Sequence, residues 1–222
     1  MEGDSCMIHR TRLSLSLREA VRRDFIALNN TVLVEGLLIS PILMAATTLK
    51  GAAAMIICAV IIILPSVVLD KVISGRIPSI VRWPVCLLTA SLFTVPAYYV
   101  VQLFFQSNVP SVGVNGTLLM ADAVIIAAFN DKRTVGVFDK FRDVSLMLLG
   151  FSIVAVLMGV IREILGSGNF IGRSVFERAP MPFVNTTAGG MIILAVFAAV
   201  VQFARQTYLA SRAPYGKDAA EL

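Results

Sequence analysis

Histidine, charge and paired cysteine are what this chain has least of, and each shortage removes a class of chemistry. The single histidine, His9, precedes every long apolar stretch. An intramembrane haem held by two imidazoles, an H-E-x-x-H zinc site or a serine–histidine dyad therefore cannot be built inside the apolar part of the chain. An aspartyl dyad needs two facing carboxylates, and Asp122 is the only aspartate within an apolar run. Cys6, Cys58 and Cys86 stand alone, with no C-x-x-C pair; the latter two lie where a thiol is ordinarily a small buried hydrophobe. Gly166-Ser167-Gly168 is short and lacks the following Lys-Ser/Thr of a phosphate-cradling loop. Asn115-Gly116-Thr117 and Asn185-Thr186-Thr187 match the glycosylation pattern, but one lies inside an apolar run and the other hard against one.

What fills the chain instead is apolar. Of 222 residues, 57% are hydrophobic and only 15% charged, with mean hydropathy +0.83; about a quarter of a soluble domain is charged. Six runs of roughly 17–25 apolar residues are each long enough to cross a hydrocarbon core of about 30 Å as a helix. They lie at Leu28–Thr48, Ala52–Leu69, Trp83–Phe105, Val112–Phe129, Val144–Leu165 and Thr187–Ala204. The expected class is an all-α integral membrane protein of six transmembrane helices. Residues 1–27 form a cytoplasmic amphipathic N-terminal segment, 28–206 the membrane domain and 207–222 a cytoplasmic tail.

Charge placement orients the bundle, because Lys and Arg flanking the spans stay cytoplasmic. All but four of the 19 Lys and Arg residues fall on one side; the exceptions are Lys50, Arg162, Arg173 and Arg178. Both termini are thus expected in the cytoplasm, and the formal charge of +5 follows from this asymmetry. No basic stretch is interleaved with aromatics as a single-strand nucleic-acid groove requires, so anionic lipid is the expected partner of these side chains. Met1–Arg23 has no apolar core ahead of a small-residue cleavage site, which argues against a cleavable signal. Leu13–Leu28 reads as an amphipathic helix on the cytoplasmic face, with Leu13, Leu15, Leu17 and Val21 towards lipid.

Two carboxylates break the apolar pattern. Glu35 and Asp122 lie about eight to ten residues inside their spans, where a charge costs roughly 2.5–3.5 kcal/mol on insertion scales. Three spans precede and three follow the middle of the chain, and an odd number of crossings per half makes the second half an inverted copy of the first. Glu35-Gly36-Leu37-Leu38-Ile39-Ser40-Pro41 opens one half; Asn115-Gly116-Thr117-Leu118-Leu119-Met120-Ala121-Asp122 opens the other. Each places a glycine and polar side chains at mid-depth, so helices 1 and 4 are expected to be interrupted there, lining a seam between the halves. The alternative is that glycine and small residues merely let helices pack closely.

Asn29-Asn30-Thr31-Val32-Leu33-Val34-Glu35, followed by Leu38-Ile39-Ser40-Pro41 and Ala45-Ala46-Thr47, resembles the first span of the small six-helix subunits of the sodium-pumping NADH:quinone oxidoreductase (Nqr) and the Rnf electron-transport complex. There N-N-x-x-x-x-Q leads to a G-x-C-P-like turn and then A-V-T. Gly150-Phe151-Ser152 and Arg162-Glu163-Ile164-Leu165-Gly166-Ser167-Gly168-Asn169-Phe170 with Gly172 look like the family's more specific G-F-S … R-E-x-x-G-x-G-x-x-x-G segment. Pro182-Phe183 and Gly189-Gly190 fit the run before the last span. The resemblance covers roughly residues 24–206 and is to the RnfE/NqrD-like member.

The resemblance implies a non-catalytic subunit of a bacterial inner-membrane translocase, paired in opposite orientation with a homologous RnfA/NqrE-like subunit. Each would give two cysteines to an intramembrane [2Fe–2S] cluster, with flavin on other membrane subunits. This chain departs from that pattern where the cluster is held. Ser40 stands at the first cysteine position, and Asp122, or Ala123 with a one-residue slip, at the second. Iron–sulfur clusters favour soft thiolates over oxygen donors, so the usual cluster is not expected on this chain. Glu35, Ser40 and Asp122 remain as a mid-membrane polar seam that suits Na⁺ or a proton; the alternative is that the carboxylates only fix assembly. Arg162 and Glu163 read either as interfacial anchors or as residues docking the partner subunit. Three functions are open: a scaffold and ion-path subunit of an ion-translocating electron-transport complex, a subunit of a non-redox transporter built on the same inverted repeat, and an assembly factor.

Overall fold

The computed structural model describes residues 33, 36, 38–74, 76–105, 112–131, 136–170, 173–174, 176 and 179–212. His9, Cys6, the surface helix expected over Leu13–Leu28, Glu35 and the last ten residues lie outside the described residues.

Six α-helices follow in order: α1 (Ile39–Ala45), α2 (Leu49–Ile73), α3 (Ser79–Phe105), α4 (Val112–Asp131), α5 (Val137–Arg162) and α6 (Thr187–Arg212). A π-helical turn, Glu163–Ser167, extends α5, and a 3₁₀ turn, Pro182–Asn185, leads into α6. Between them, two-residue strands β1 (Asn169–Phe170) and β2 (Arg173–Ser174) pair antiparallel, Asn169 opposite Ser174. Four helical stretches are long and apolar enough to cross a membrane: Leu49–Ile73, Ile80–Phe105, Val137–Ser167 and Thr187–Ala204; Gly116–Ala128 is a shorter apolar one. The protein is a multi-pass, all-α membrane protein.

α2 is apolar on all sides, the pattern of a helix surrounded by others. It packs against α3, α4 and α5, burying Ala52, Ala59, Ile62, Ile63 and Val67 completely. Thr48 caps its start, the Thr48 hydroxyl accepting from the Gly51 amide at 3.1 Å. Prolines sit inside α2 (Pro65) and α3 (Pro84, Pro96) without ending them, as transmembrane helices allow when neighbours re-satisfy the freed carbonyls. The outside is apolar too: α3 exposes Trp83, Leu92, Leu103 and Phe104, and α6 exposes Ile192, Val196, Val200 and Phe203. Such faces suit lipid tails or another apolar subunit rather than water.

α1 meets α4 and α2 meets α5, the cross-pairs that two inverted three-helix halves place on their axis. At the position of the interruption expected in the first span, Gly36 (φ 72°) and Leu38 (φ 62°) both adopt left-handed backbone just before α1; most of that span ahead of Gly36 lies outside the described residues. The interruption expected in the fourth span is absent: α4 runs unbroken from Val112 to Asp131. Gly116 instead faces α3, where a Cβ would stand 3.1 Å from the Thr94 Cγ2. Glycine serves helix packing here, and no proline forces a break.

Candidate functional site

The left-handed pair at Gly36 and Leu38 turns the chain so that the start of α1 faces the middle of α4. Leu38 is the only non-glycine residue with positive φ among those described, a conformation that costs an L-residue roughly 1–2 kcal/mol. Its side chain is 1% exposed, so burial of the leucine offsets that strain. A cavity of about 330 Å³ opens beside the break, lined by Gly36, Leu38 and Ser40 from the first segment, Asp122 and Ile125 from α4, and Met191 from α6. The structure thus brings Ser40 and Asp122, 82 positions apart in the sequence, to one cavity wall. Ser40 is exposed, whereas Asp122 is 8% exposed and its Oδ2 has no hydrogen-bond partner among the described residues. A carboxylate oxygen buried without a donor requires a compensating positive charge or a proton.

The donors do not suit an iron–sulfur cluster. They are a hydroxyl and a carboxylate, hard oxygens where iron–sulfur chemistry calls for thiolates. Cys58 is buried on α2 and lines a different cavity of about 400 Å³ with Tyr98 and Met120. Cys86 is buried on α3 and lines neither cavity. Among the described residues no group of three or more His, Cys, Asp or Glu is placed to hold a metal.

Arg162 and Glu163 lie at the end of α5, as the apolar run places them, and turn inward. Arg162 is completely buried. Its Nη1 donates to the carbonyls of Leu43 (2.8 Å) and Ala46 (3.5 Å), its Nε to Val184 (3.1 Å) and its Nη2 to Asn185 (2.9 Å) and Thr186 (3.2 Å). One guanidinium therefore gathers the end of α1 and the turn leading into α6, using the planar fork that lysine lacks. The Glu163 Oε2 accepts the Leu49 amide at 2.7 Å, placing a carboxylate on the start of α2. Both side chains are engaged inside the chain, where they tie four helix ends together.

A second polar cluster sits at the opposite end of α2. Asp70 accepts from the Arg82 Nε (2.8 Å) and Nη2 (2.5 Å), a bidentate pair between α2 and α3. Lys140, completely buried on α5, donates to the Ala127 carbonyl of α4 at 3.0 Å and approaches the Asp70 Oδ2 at 4.0 Å. Charge counting treats these residues as loop-flanking cations, so sequence reasoning passed over them. Their spacing held a signal: Asp70 ends one apolar run and Arg82 begins the next, twelve residues on.

The two clusters are counterparts. The first joins the end of α5 to the end of α1 and the starts of α2 and α6; the second joins the end of α2 to the end of α4 and the starts of α5 and α3. Exchanging α1 with α4, α2 with α5 and α3 with α6 converts one set of helix ends into the other, the relation an inverted repeat imposes.

The family model described as "Rnf-Nqr subunit, membrane protein" matches residues 20–205. The E subunit of the ion-translocating oxidoreductase complex of Shewanella oneidensis is 30% identical over 143 residues, 63% of this chain and 61% of the relative, so the chain spans about three fifths of that protein's length. The E subunit of the Na(+)-translocating ferredoxin:NAD(+) oxidoreductase complex of Acetobacterium woodii is 26% identical over 76% of this chain and 86% of the relative. Its counterpart in the ion-translocating oxidoreductase complex of Methanosarcina acetivorans is 27% identical over 75% of this chain and 81% of its own length. With an all-helical membrane bundle, left-handed backbone ahead of α1 and a family match over most of its length, this chain belongs to the Rnf-Nqr subunit family of membrane proteins.

Proposed function

We propose that this chain is a membrane subunit of an ion-translocating electron-transport complex of the Rnf/Nqr type, acting as scaffold and ion path rather than as carrier of an iron–sulfur cluster. One observation carries the reading: a buried Asp122 oxygen without a partner among the described residues belongs to a cavity lined also by Ser40 and the left-handed turn before α1, at the positions where the family resemblance places cysteine. The relatives' names supply the redox and ion-translocating setting. The partners are an RnfA/NqrE-like subunit of opposite orientation and flavin-bearing membrane subunits, with the apolar faces of α3 and α6 available to them or to lipid. The setting is the bacterial cytoplasmic membrane with both termini inside, which puts the Arg162 cluster at the outer face and the Asp70 cluster at the inner one.

Affinity purification of the full-length protein from its native membrane, followed by identification of the co-purifying chains and their flavin, tests the assignment. Flavin- and iron-bearing partners are the expected outcome, whereas a self-contained homodimer that moves ions in vesicles establishes the non-redox transporter instead. A reporter fused after Leu222 that is active only outside the cell overturns the orientation.

A further inference from the structure

We propose that the cavity between α2, α3 and α4 seats one acyl chain of a membrane phospholipid, whose ester carbonyl accepts from the hydroxyl of Tyr98 or Tyr99. This goes beyond the proposed function and takes from it only the orientation, which makes the leaflet concerned the outer one.

Depth fixes what surrounds the opening. α3 has 27 residues, about 40 Å of helix at 1.5 Å per residue, the thickness of a bilayer with its headgroup layers. The cavity lies towards one end of it. Val95, Tyr98 and Tyr99 line it ten, seven and six residues before Phe105, and Gly116 and Met120 four and eight residues after the start of α4. These wall residues stand at hydrocarbon depth. Val95 and Tyr99 are 58% and 62% exposed, so the mouth is on the outer surface of the bundle, where acyl chains rather than water are the solvent.

The wall favours a chain over a polar ligand. Cys58 and Ile62, both buried, close the α2 side. Ser91 and Thr94 turn their hydroxyls back on their own helix, donating to the Leu88 and Ala90 carbonyls at 2.8 and 3.0 Å. At about 400 Å³ the space holds on the order of ten methylene groups, if each takes roughly the volume of a water molecule. Left empty, it forfeits the dispersion contacts of its lining.

The two tyrosines supply the polar end. Their rings meet edge to face, with 6.5 Å between centroids and 73° between planes, and neither hydroxyl has a hydrogen-bond partner among the described residues. A phenol away from water needs an acceptor. Six or seven residues from the end of α3 is about 10 Å, just below the ester groups at the edge of the hydrocarbon core and within reach of a tyrosine side chain. The ester of the lipid whose tail fills the cavity is the acceptor at that level.

Native mass spectrometry of the full-length protein, extracted from its membrane with whatever subunits accompany it and washed stepwise with detergent, tests the site. One phospholipid per copy of this chain is expected to survive washing that strips the rest, its occupancy falling about tenfold in Val95→Trp, which fills the mouth from an exposed position. Leu92→Trp, the same change at an exposed residue of α3 outside the cavity, is expected to leave it in place. The double variant Tyr98→Phe, Tyr99→Phe keeps the rings and is expected to lower occupancy a few-fold, which decides the matter if Val95→Trp does not assemble. Loss in Leu92→Trp as readily as in Val95→Trp would mark an ordinary boundary lipid and overturn the site. A wild type that retains no phospholipid, a quinone retained in its place, or occupancy unchanged in the cavity variants overturns it equally.

Discussion

Gly190 leaves the space that the Arg162 guanidinium fills: a Cβ built on Gly190 would stand 3.1 Å from Cζ, 3.2 Å from Nη1 and 3.2 Å from the Leu43 Cδ2. Arg162 is held on the other sides by the carbonyls of Leu43, Val184 and Asn185, so it has no direction in which to retreat. Gly190→Leu is expected to expel the guanidinium and lower stability by about 3–5 kcal/mol, the cost of breaking a buried, paired charge. Gly190→Ala should cost distinctly less, since the clash is a few tenths of an ångström. Thermal unfolding of the detergent-solubilised protein by fluorescence-detected size exclusion measures both; equal stability of Gly190→Leu and wild type contradicts this packing.

At the other cluster, Asp70 lies between two cations, Arg82 and Lys140. Asp70→Asn leaves both positive charges facing a neutral amide, and a loss of roughly 3 kcal/mol is expected. Lys140→Met removes one of the stranded cations and should cost less in the Asp70→Asn background than in wild type. Unfolding midpoints of the two single variants and the double variant close the cycle. Strict additivity would mean that Lys140 answers only to the Ala127 carbonyl.

These clusters show where the sequence stops being legible. Apolar run lengths locate α2 to α6, although α2, α3, α5 and α6 run beyond the expected limits to Ile73, back to Ser79, back to Val137 and on to Arg212; hydropathy ends where polar residues begin, whereas helical hydrogen bonding continues into them. Most of the first expected span ahead of Gly36 lies outside the described residues. Gly36 and Pro41 announce the break before α1. The placing of Ser40 beside Asp122 follows from the resemblance, because it sets both at cysteine positions. The internal bonds of Arg162 and Glu163 are not legible, since a charge at the end of an apolar run looks the same whether it anchors at the interface or folds inward; the carbonyls that Arg162 reaches, Leu43 and Asn185, lie over 20 positions away on either side. The Gly189-Gly190 pair is visible as a pattern, but its reason is a tertiary contact.

Glu163 offers a smaller test of the same end of the bundle. Its Oε2 accepts the Leu49 amide, and a side-chain acceptor on the start of a helix contributes typically about 1 kcal/mol. Glu163→Gln retains an acceptor oxygen and should lose only on the order of 0.5–1 kcal/mol against wild type, for the missing charge at the helix start, and so cost less than Glu163→Ala, which loses the hydrogen bond as well. Parallel melting curves of the two variants supply the comparison. A glutamine variant as damaged as the alanine one would show that the negative charge, rather than the hydrogen bond, holds α2 in place.

The break itself can be probed through Gly36, where conformation and packing separate. Among the described residues a Cβ there would meet only the Ile39 Cδ1, at an ordinary 3.8 Å, while the φ of 72° is one that L-residues avoid. Gly36→Ala should therefore lose about 1–2 kcal/mol for backbone reasons alone, and Gly36→Asn, which tolerates the left-handed region better, should lose less. A β-branched Gly36→Val is expected to be worst, because its side chain makes that conformation hardest to hold. The ranking Asn, then Ala, then Val in melting temperature checks the backbone argument; a valine variant as stable as wild type would mean that the chain does not turn left-handed at this position.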